Sequence, residues 1–427
     1  MKSSAKKDYL NRHILIGAGV GIVFGFMLNA GMFSPDKTQT VLYVLGIVKG
    51  VFINLLKMIV VPLVFTSIAL GIANLRKHSA MGIVWKSTLG YFIGTSALAV
   101  LLGLTLVNIL RPGVDTQIDI FEKDMSAYTS PDITTSEYFS KFINERFFIS
   151  PVKAMAEGEI LGTIVFAIFI GIAIVKAKEK AKGIHNLLQE FFDLIMMIVG
   201  WIMRLAPWGI LALLAILFAS QDIRLLKSLA KFIGVVLLGT FLHGAVTLPL
   251  LLKWFGKFSP WIFFRGMKDA LITAFSTSSS SATLPISLRC VDEHLKVDKD
   301  IAGFVMPLGT TINMDGTALY EAIAALFVAN LIGLDLNIVS QLMIFLVAIL
   351  ASMGAPGIPS AGMVTMIPVL QSVGLPIEAI GILIPIDRFL DTFRTMINVE
   401  GDAIGSVIVN RYCINKRVRN KQGKVRP

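Results

Sequence analysis

From Asp387 to Asp402 the chain reads D-R-F-L-D-T-F-R-T-M-I-N-V-E-G-D. At about 100° per residue, Asp387, Asp391, Arg394, Thr395, Asn398 and Asp402 fall within an arc of roughly 100° on a helix. The apolar runs Leu375–Ile386 and Ile404–Val409 flank the segment, so this polar stripe belongs to a membrane-spanning helix. Such a stripe is costly in lipid unless it meets protein, water or a ligand. A ladder of salt bridges between helices would satisfy it. The reading favoured here is a binding face for a charged solute and its coupling cations. Carboxylates, an amide, a hydroxyl and a guanidinium together supply every donor and acceptor that an amino acid needs.

A second polar motif, Gly309-Thr310-Thr311-Ile312-Asn313-Met314-Asp315-Gly316-Thr317, lies within another apolar span. Asn, Asp and Gly favour local unwinding. Freed carbonyls beside the Asp315 carboxylate suit a hard cation such as sodium. Each polar helix follows an interrupted apolar segment. Phe258–Cys290 is broken by Ser276-Thr277-Ser278-Ser279-Ser280-Ser281, and Ile338–Gly374 by Gly354-Ala355-Pro356-Gly357-Ile358-Pro359-Ser360-Ala361-Gly362. Two prolines and three glycines within nine residues exceed what helix packing asks for. Broken segments at matching positions of two halves point to a transport site, because unwound backbone is tolerated in a membrane only where it lines a cavity.

The elements that carry these motifs are membrane helices. Apolar residues are 55% of the 427 and charged ones only 16%, a balance that suits lipid as the main solvent. The net charge of +11 does not indicate nucleic acid, because Lys and Arg gather in short connectors and in the tails. Spans are expected near 13–33, 41–75, 82–110, 151–176, 186–220, 226–254, 298–331 and 376–410, several of them long enough to tilt or bend. Lys2, Lys6, Lys7 and Arg12, then Arg76 and Lys77, then Lys176–Lys182, and finally the basic tail all fall on one side, which makes that side cytoplasmic. The acidic loop 111–150 falls outside. Cys290 and Cys413 are expected as free thiols on cytoplasmic segments. No cleavable signal is apparent, so the first apolar segment is expected to be the first span.

The blocks T-S-S-S-S-A-T-L-P, N-M-D-G-T-A-L-Y-E, G-A-P-G-I-P-S-A-G and D-x-x-R-T-x-x-N-V-E-G-D, in this order, resemble the glutamate/aspartate transporter family of dicarboxylate/amino acid:cation symporters. Lys57–Leu63 and Thr95-Ser96 extend the resemblance over roughly 13–410. It implies an all-α polytopic membrane protein with eight transmembrane helices plus two re-entrant helical hairpins, assembled as a homotrimer in lipid. It further implies an elevator in which a transport domain slides against a scaffold. The organisation expected is a cytoplasmic tail at 1–12, then 13–255 with scaffold helices 1, 2, 4 and 5 and transport helices 3 and 6. A transport core at 256–412 follows, with hairpin 1, helix 7, hairpin 2 and helix 8, and a basic cytoplasmic tail at 413–427. Multi-pass residence in the plasma (inner) membrane with both termini cytoplasmic is expected.

By the same resemblance, Arg394 pairs with the substrate's side-chain carboxylate, for which a planar guanidinium is suited, and Asp391 takes the α-ammonium. Asn398, Thr317 and Ser278, Ser279 and Ser280 hold the α-carboxylate, with Thr395 and the Ile358–Gly362 tip closing the pocket. One sodium site uses Asp402 with carbonyls of Gly309, Asn313 and Asn398. A second uses Asp315, Thr95, Ser96, Asn313 and the Phe92 carbonyl. A third uses Thr311, Met314 and carbonyls of Ser352, Met353 and Ala355. Sodium is co-transported and no organic cofactor is implied. Glu321 matches the proton-carrying glutamate of the animal transporters, where archaeal relatives have Gln. Archaeal relatives carry an Arg where Ser278 stands, and animal ones an Arg where Thr392 stands; Arg388 is the substitute available here. Asp402 and Asn313-Met314-Asp315-Gly316 differ from proton-coupled bacterial relatives and favour sodium.

The function expected is sodium-coupled symport of aspartate or glutamate. The rivals within the family are a C4-dicarboxylate carrier and a neutral amino acid carrier, which would leave Arg394 unpaired. An intramembrane serine hydrolase is disfavoured because none of the five histidines is expected in the polar core. No enzyme activity and no nucleic-acid partner are expected. A channel would differ from a carrier in not requiring a sodium gradient for uptake.

Overall fold

The computed structural model describes residues 2–73, 82–114, 116, 148–157, 160–220, 224–353 and 361–423, and these are helical almost throughout. Helices α1 (Lys2–Asn29), α2 (Pro35–Ala73) and α3 (Gly82–Leu110) are followed by α4 (Pro151–Glu157), α5 (Ile160–Ala177), α6 (Lys182–Met203) and α7 (Ala206–Ser220). Next come α8 (Arg224–Leu242) and the short α9 (Leu248–Leu251), joined and followed by π-helical turns at His243–Thr247 and Leu252–Gly256. The rest comprises α10 (Pro260–Thr277), α11 (Ser280–Glu293), α12 (Lys299–Ile312), α13 (Asp315–Leu331), α14 (Ile338–Ser352), α15 (Ala361–Ser372) and α16 (Ile380–Gly423).

The starts of the later helices are written locally. Asp298 caps α12 by accepting the Asp300 and Ile301 amides, Asn337 caps α14 through the Ser340 amide, and Ser259 with Pro260 opens α10. The serine run breaks the first interrupted segment where Ser278 turns left-handed at φ 49° and Ser279 caps α11 through the Ala282 amide at 3.2 Å. The span expected over 298–331 is two helices, parted at Asn313 and Met314. The tip of the second interrupted segment, 354–360, and most of the acidic loop 111–150 lie outside the described residues.

Boundaries shift elsewhere. The segment expected as one span over 186–220 is α6 and α7, parted at Arg204 and Leu205, where the helical runs Gly162–Met203 and Ala206–Ala219 meet at 51°. Helix α1 begins at Lys2 and α16 continues to Gly423, so both expected tails are partly helical. Among the described residues four helices are long and apolar enough to cross a membrane: Pro35–Ala73, Val84–Leu110, Leu225–Gly256 and Lys299–Leu331. The bent pair makes a fifth. Helix α16 misses this description because its middle carries charges, a cost accepted only by a helix enclosed in protein.

Two groups of contacts organise these helices. Helix α1 packs along α7, and α2 packs on α5, α6 and α7. Separately, α13 is embraced by α3, α8, α14, α15 and α16, while α10, α11 and α12 pack on one another and on α16. Almost every residue of α13 is buried, as expected of a helix with no solvent or lipid face. Helices α3, α8, α12, α13 and α16 thereby hold the polar motifs against each other.

Candidate functional site

Arg394 is the largest fully buried side chain among the described residues. Its Nη2 donates to Asp387 Oδ1 at 2.7 Å and to Asp391 Oδ1 at 2.9 Å, and its Cζ lies 3.9 Å from the centre of the Tyr320 ring. The charge is therefore paired, as a buried guanidinium must be, yet Nε and Nη1 make no hydrogen bond. Gly362, at the start of α15, covers this group: a methyl at its Cα would stand 3.3 Å from Thr317 Cγ2 and 3.5 Å from the Arg394 Cζ and Nη1. Arg388 approaches Asp391 Oδ2 at 3.6 Å, so Asp391 lies between two guanidinium groups. Asn398 ties the stripe to the broken helix. Its Oδ1 accepts the Gly316 amide at 2.8 Å, and its Nδ2 points to Met314 Sδ at 3.2 Å and Thr317 Oγ1 at 3.4 Å. Thr395 is buried beside them.

Two oxygen-rich groups flank this core. Asp315 Oδ1 accepts from Ser96 Oγ at 2.6 Å and Thr95 Oγ1 at 3.2 Å, and Thr95 also reaches Asn313 Oδ1 at 3.4 Å and the Phe92 carbonyl at 3.2 Å. Asp402 Oδ1 accepts from Asn313 Nδ2 at 3.0 Å, and Gly309 packs so closely on the Asp402 carboxyl that a side chain there would collide with it. Among the described residues no three His, Cys, Asp or Glu side chains gather as a multidentate metal cluster would. Each group instead offers one carboxylate among hydroxyl, amide and carbonyl oxygens, a donor set that fits a hard monovalent ion as cargo.

The third expected sodium set lies only partly among the described residues. The hydroxyls of Thr311 and Ser352 turn back to carbonyls of their own helices, Leu308 at 3.0 Å and Ile349 at 3.0 Å. The Met353 carbonyl oxygen would lie 3.7 Å from a methyl on Gly71 of α2, and Ala355 and Ile358 lie outside the described residues. Ser278, Ser279 and Ser280 are buried at the end of the first interrupted segment. Among the described residues the Ser278 hydroxyl has no hydrogen-bond partner. The Phe275 ring, three residues before Ser278, packs edge-on against Phe393 at 5.1 Å and brings that tip against the off-stripe face of α16. Glu321 is buried one turn beyond Thr317, with Thr365 of α15 donating to its Oε1.

Sequence reasoning missed three residues and misplaced one. Tyr320 supplies the ring beneath Arg394, and Tyr91 donates to the Gly401 carbonyl at 3.2 Å. Asp387 lay on the stripe but was given no role, although it is the nearer partner of Arg394. The expectation that no histidine enters the polar core is overturned. His243 is fully buried, with Nε2 3.3 Å from Asp315 Oδ2. A titratable side chain inside the apolar run of α8 was the available signal. Cys290 and Cys413 are both free thiols, and both are buried.

Comparison with known proteins bears on what this geometry serves. A profile of the sodium:dicarboxylate symporter family matches residues 10–412. The chain is 34% identical to a putative sodium-dependent excitatory amino acid transporter, glt-4, of Caenorhabditis elegans, over 97% of this chain and 91% of that one. It is 33% identical to excitatory amino acid transporter 3 of Mus musculus, over 95% of this chain and 86% of that one. With excitatory amino acid transporter 1 of Ambystoma tigrinum it shares 35% identity, over 94% and 84%. The chain is thus a multi-pass membrane transporter rather than an enzyme, and it belongs to the sodium:dicarboxylate symporter family.

Proposed function

We propose that the chain carries acidic amino acids, aspartate or glutamate, across the plasma membrane together with sodium. The observation that carries this reading is Arg394: one nitrogen is anchored by two aspartates and two nitrogens are left to a ligand. A side-chain carboxylate is the natural partner for the remaining edge of a guanidinium. Asp391 serves the α-ammonium once the substrate carboxylate takes over part of Arg394. Asn398, Thr317 and Ser278–Ser280 serve the α-carboxylate, and Thr395 and Ile358–Gly362 close the pocket. Sodium binds at Asp402 with Gly309, Asn313 and Asn398, and at Asp315 with Thr95, Ser96, Asn313 and Phe92. Closure of hairpin 2 would assemble Thr311, Met314, Ser352, Met353 and Ala355 as a third site. A C4-dicarboxylate would leave Asp391 facing no ammonium, and a neutral amino acid would leave Arg394 without an anion.

The two packing groups support an elevator. Helices α1, α2 and α5–α7 form the scaffold, and α3, α8 and α10–α16 carry the cargo. In this reading the chain has eight transmembrane helices and two re-entrant hairpins, forms a homotrimer, and keeps both termini cytoplasmic, where its basic connectors gather. Uptake into liposomes tests the substrate. An inward sodium gradient should drive entry of L-aspartate or L-glutamate but not of succinate or L-alanine. Arg394→Cys should weaken aspartate roughly ten- to a hundredfold, the worth of one charged hydrogen bond. It should also admit L-alanine or L-serine, which at the same time shows that the variant folds. Aspartate taken up by Arg394→Cys at the affinity of the unaltered chain would refute the assignment.

A further inference from the structure

Glu400 is the one carboxylate of α16 that stands off the stripe. At about 100° per residue it points roughly opposite to Asp387, Asp391, Arg394 and Asp402, yet it is only 2% exposed and its Oε1 has no hydrogen-bond partner. The carboxyl lines a cavity of about 430 Å³ between α8, α10 and α16, whose other walls include Phe241, Phe264, Phe393 and Met396. That volume lies within the range of small-molecule sites.

The backbone is shaped for this cavity. The π-helical turn His243–Thr247 inserts an extra residue into the helical run exactly where Gly244 and Ala245 form the wall, and such turns recur at functional positions. A methyl on Gly244 would stand 3.0 Å from Glu400 Oε2 and collide with Ile397, so glycine is what leaves space for the carboxyl. The other polar side chain in the wall, Thr240, spends its hydroxyl on the Val236 carbonyl at 2.7 Å and does not serve Glu400. Phe241 and Ala245 are exposed at the mouth, on a helix apolar enough to face lipid. A carboxyl at the end of an apolar, lipid-facing cavity calls for a cation or a strong donor.

We propose that this cavity binds a lipophilic amine entering from the bilayer, with its ammonium on Glu400 and its apolar body between Phe241, Phe264 and Phe393. Aromatic faces add attraction for the cation. The occupant would tie α8 and the π-helical turn after it to α16, and that turn also presents His243 to Asp315, so binding there is linked to the cargo site and should slow uptake.

The test uses the full chain in phosphatidylcholine nanodiscs, with n-octylammonium as probe and n-octanol and octanoate as controls of equal length. Octylammonium should bind saturably at one site per chain. Glu400→Gln should weaken it at least tenfold, and Ala245→Trp, which fills the mouth without touching the carboxyl, should do the same. Thermal unfolding of each variant confirms that it is folded. An aminophospholipid is the other source of an ammonium on an apolar body, and native mass spectrometry with phosphatidylethanolamine present separates the two. A lipid retained by the unaltered chain and lost in Glu400→Gln assigns the site to the lipid; octylammonium bound without such retention assigns it to a small amine. Octylammonium binding unchanged in Glu400→Gln, octanol binding equally well, or no saturable binding to the folded chain would each overturn the proposal.

Discussion

Glu321 sits one helical turn beyond Thr317, close enough for its charge to be felt by whatever Arg394 holds. Thr365 donates to one carboxyl oxygen, and the other has no hydrogen-bond partner. Because Thr365 belongs to α15, the second arm of the interrupted segment, movement of that arm changes the surroundings of the carboxyl. We propose that this carboxyl takes up a proton in one state and releases it in another. Aspartate uptake should then acidify the liposome interior. Glu321→Gln should retain exchange of internal for external aspartate while losing net uptake and its acidification, since only the return of the empty carrier needs the ionised carboxylate. Equal proton movement in both proteins would make Glu321 a structural residue. At this scale part was legible: periodicity put Arg394, Asp391 and Asn398 on one face, and the structure joins Arg394 to Asp391 and Asn398 to the broken helix at Gly316, whereas Thr95 and Ser96, which meet Asp315, were readable only through the family resemblance. His243, Tyr91 and Tyr320 were not, because a periodicity reading sees each as one side chain in an apolar run and cannot see which neighbour it faces.

Helices were readable where the sequence breaks them and unreadable where they merely touch. The break at Asn313 and Met314 and the turn at Ser278 follow from residues that compete with helix hydrogen bonds. The π-helical turns of α8 carry no such mark, and neither does the contact of α1 with α7. Gly17, Gly21 and Gly25 recur every fourth residue, and a methyl on each would stand 2.5, 2.6 and 2.7 Å from the carbonyl oxygens of Pro207, Leu211 and Ala215. Helix α1 thus lies backbone to backbone on α7, the close approach that small residues permit within a membrane. Gly21→Leu has no flexible neighbour to displace and must separate the helices, at a cost on the order of 1–3 kcal/mol or more. Thermal unfolding should drop by several degrees. Gly19→Leu, on the open side with nothing within 4 Å, should leave it unchanged and serves as the control. Equal behaviour of the two variants would show that this contact does not hold α1.

Across the whole molecule the two packing groups meet sparsely, and one contact between them is charged. Lys57, near the middle of α2, donates to Glu378, just ahead of α16, at 2.6 Å. The lysine side chain is 40% exposed and the glutamate 18%, so the pair contributes at most about 1 kcal/mol. That is small for folding but sufficient to shift a balanced two-state equilibrium about fivefold. If the cargo group slides past the scaffold, this ion pair holds one end of the stroke and must break during transport. Lys57→Met and Glu378→Gln should each raise the rate at which the transport group leaves this position, by up to about fivefold. The double variant should add nothing further, because both changes remove the same bond. Crosslinking rates between cysteines placed on α2 and α16, measured for the two single variants and the double, decide the matter. Effects that simply add would mean that Lys57 and Glu378 act separately, and that the latch between the two groups lies elsewhere.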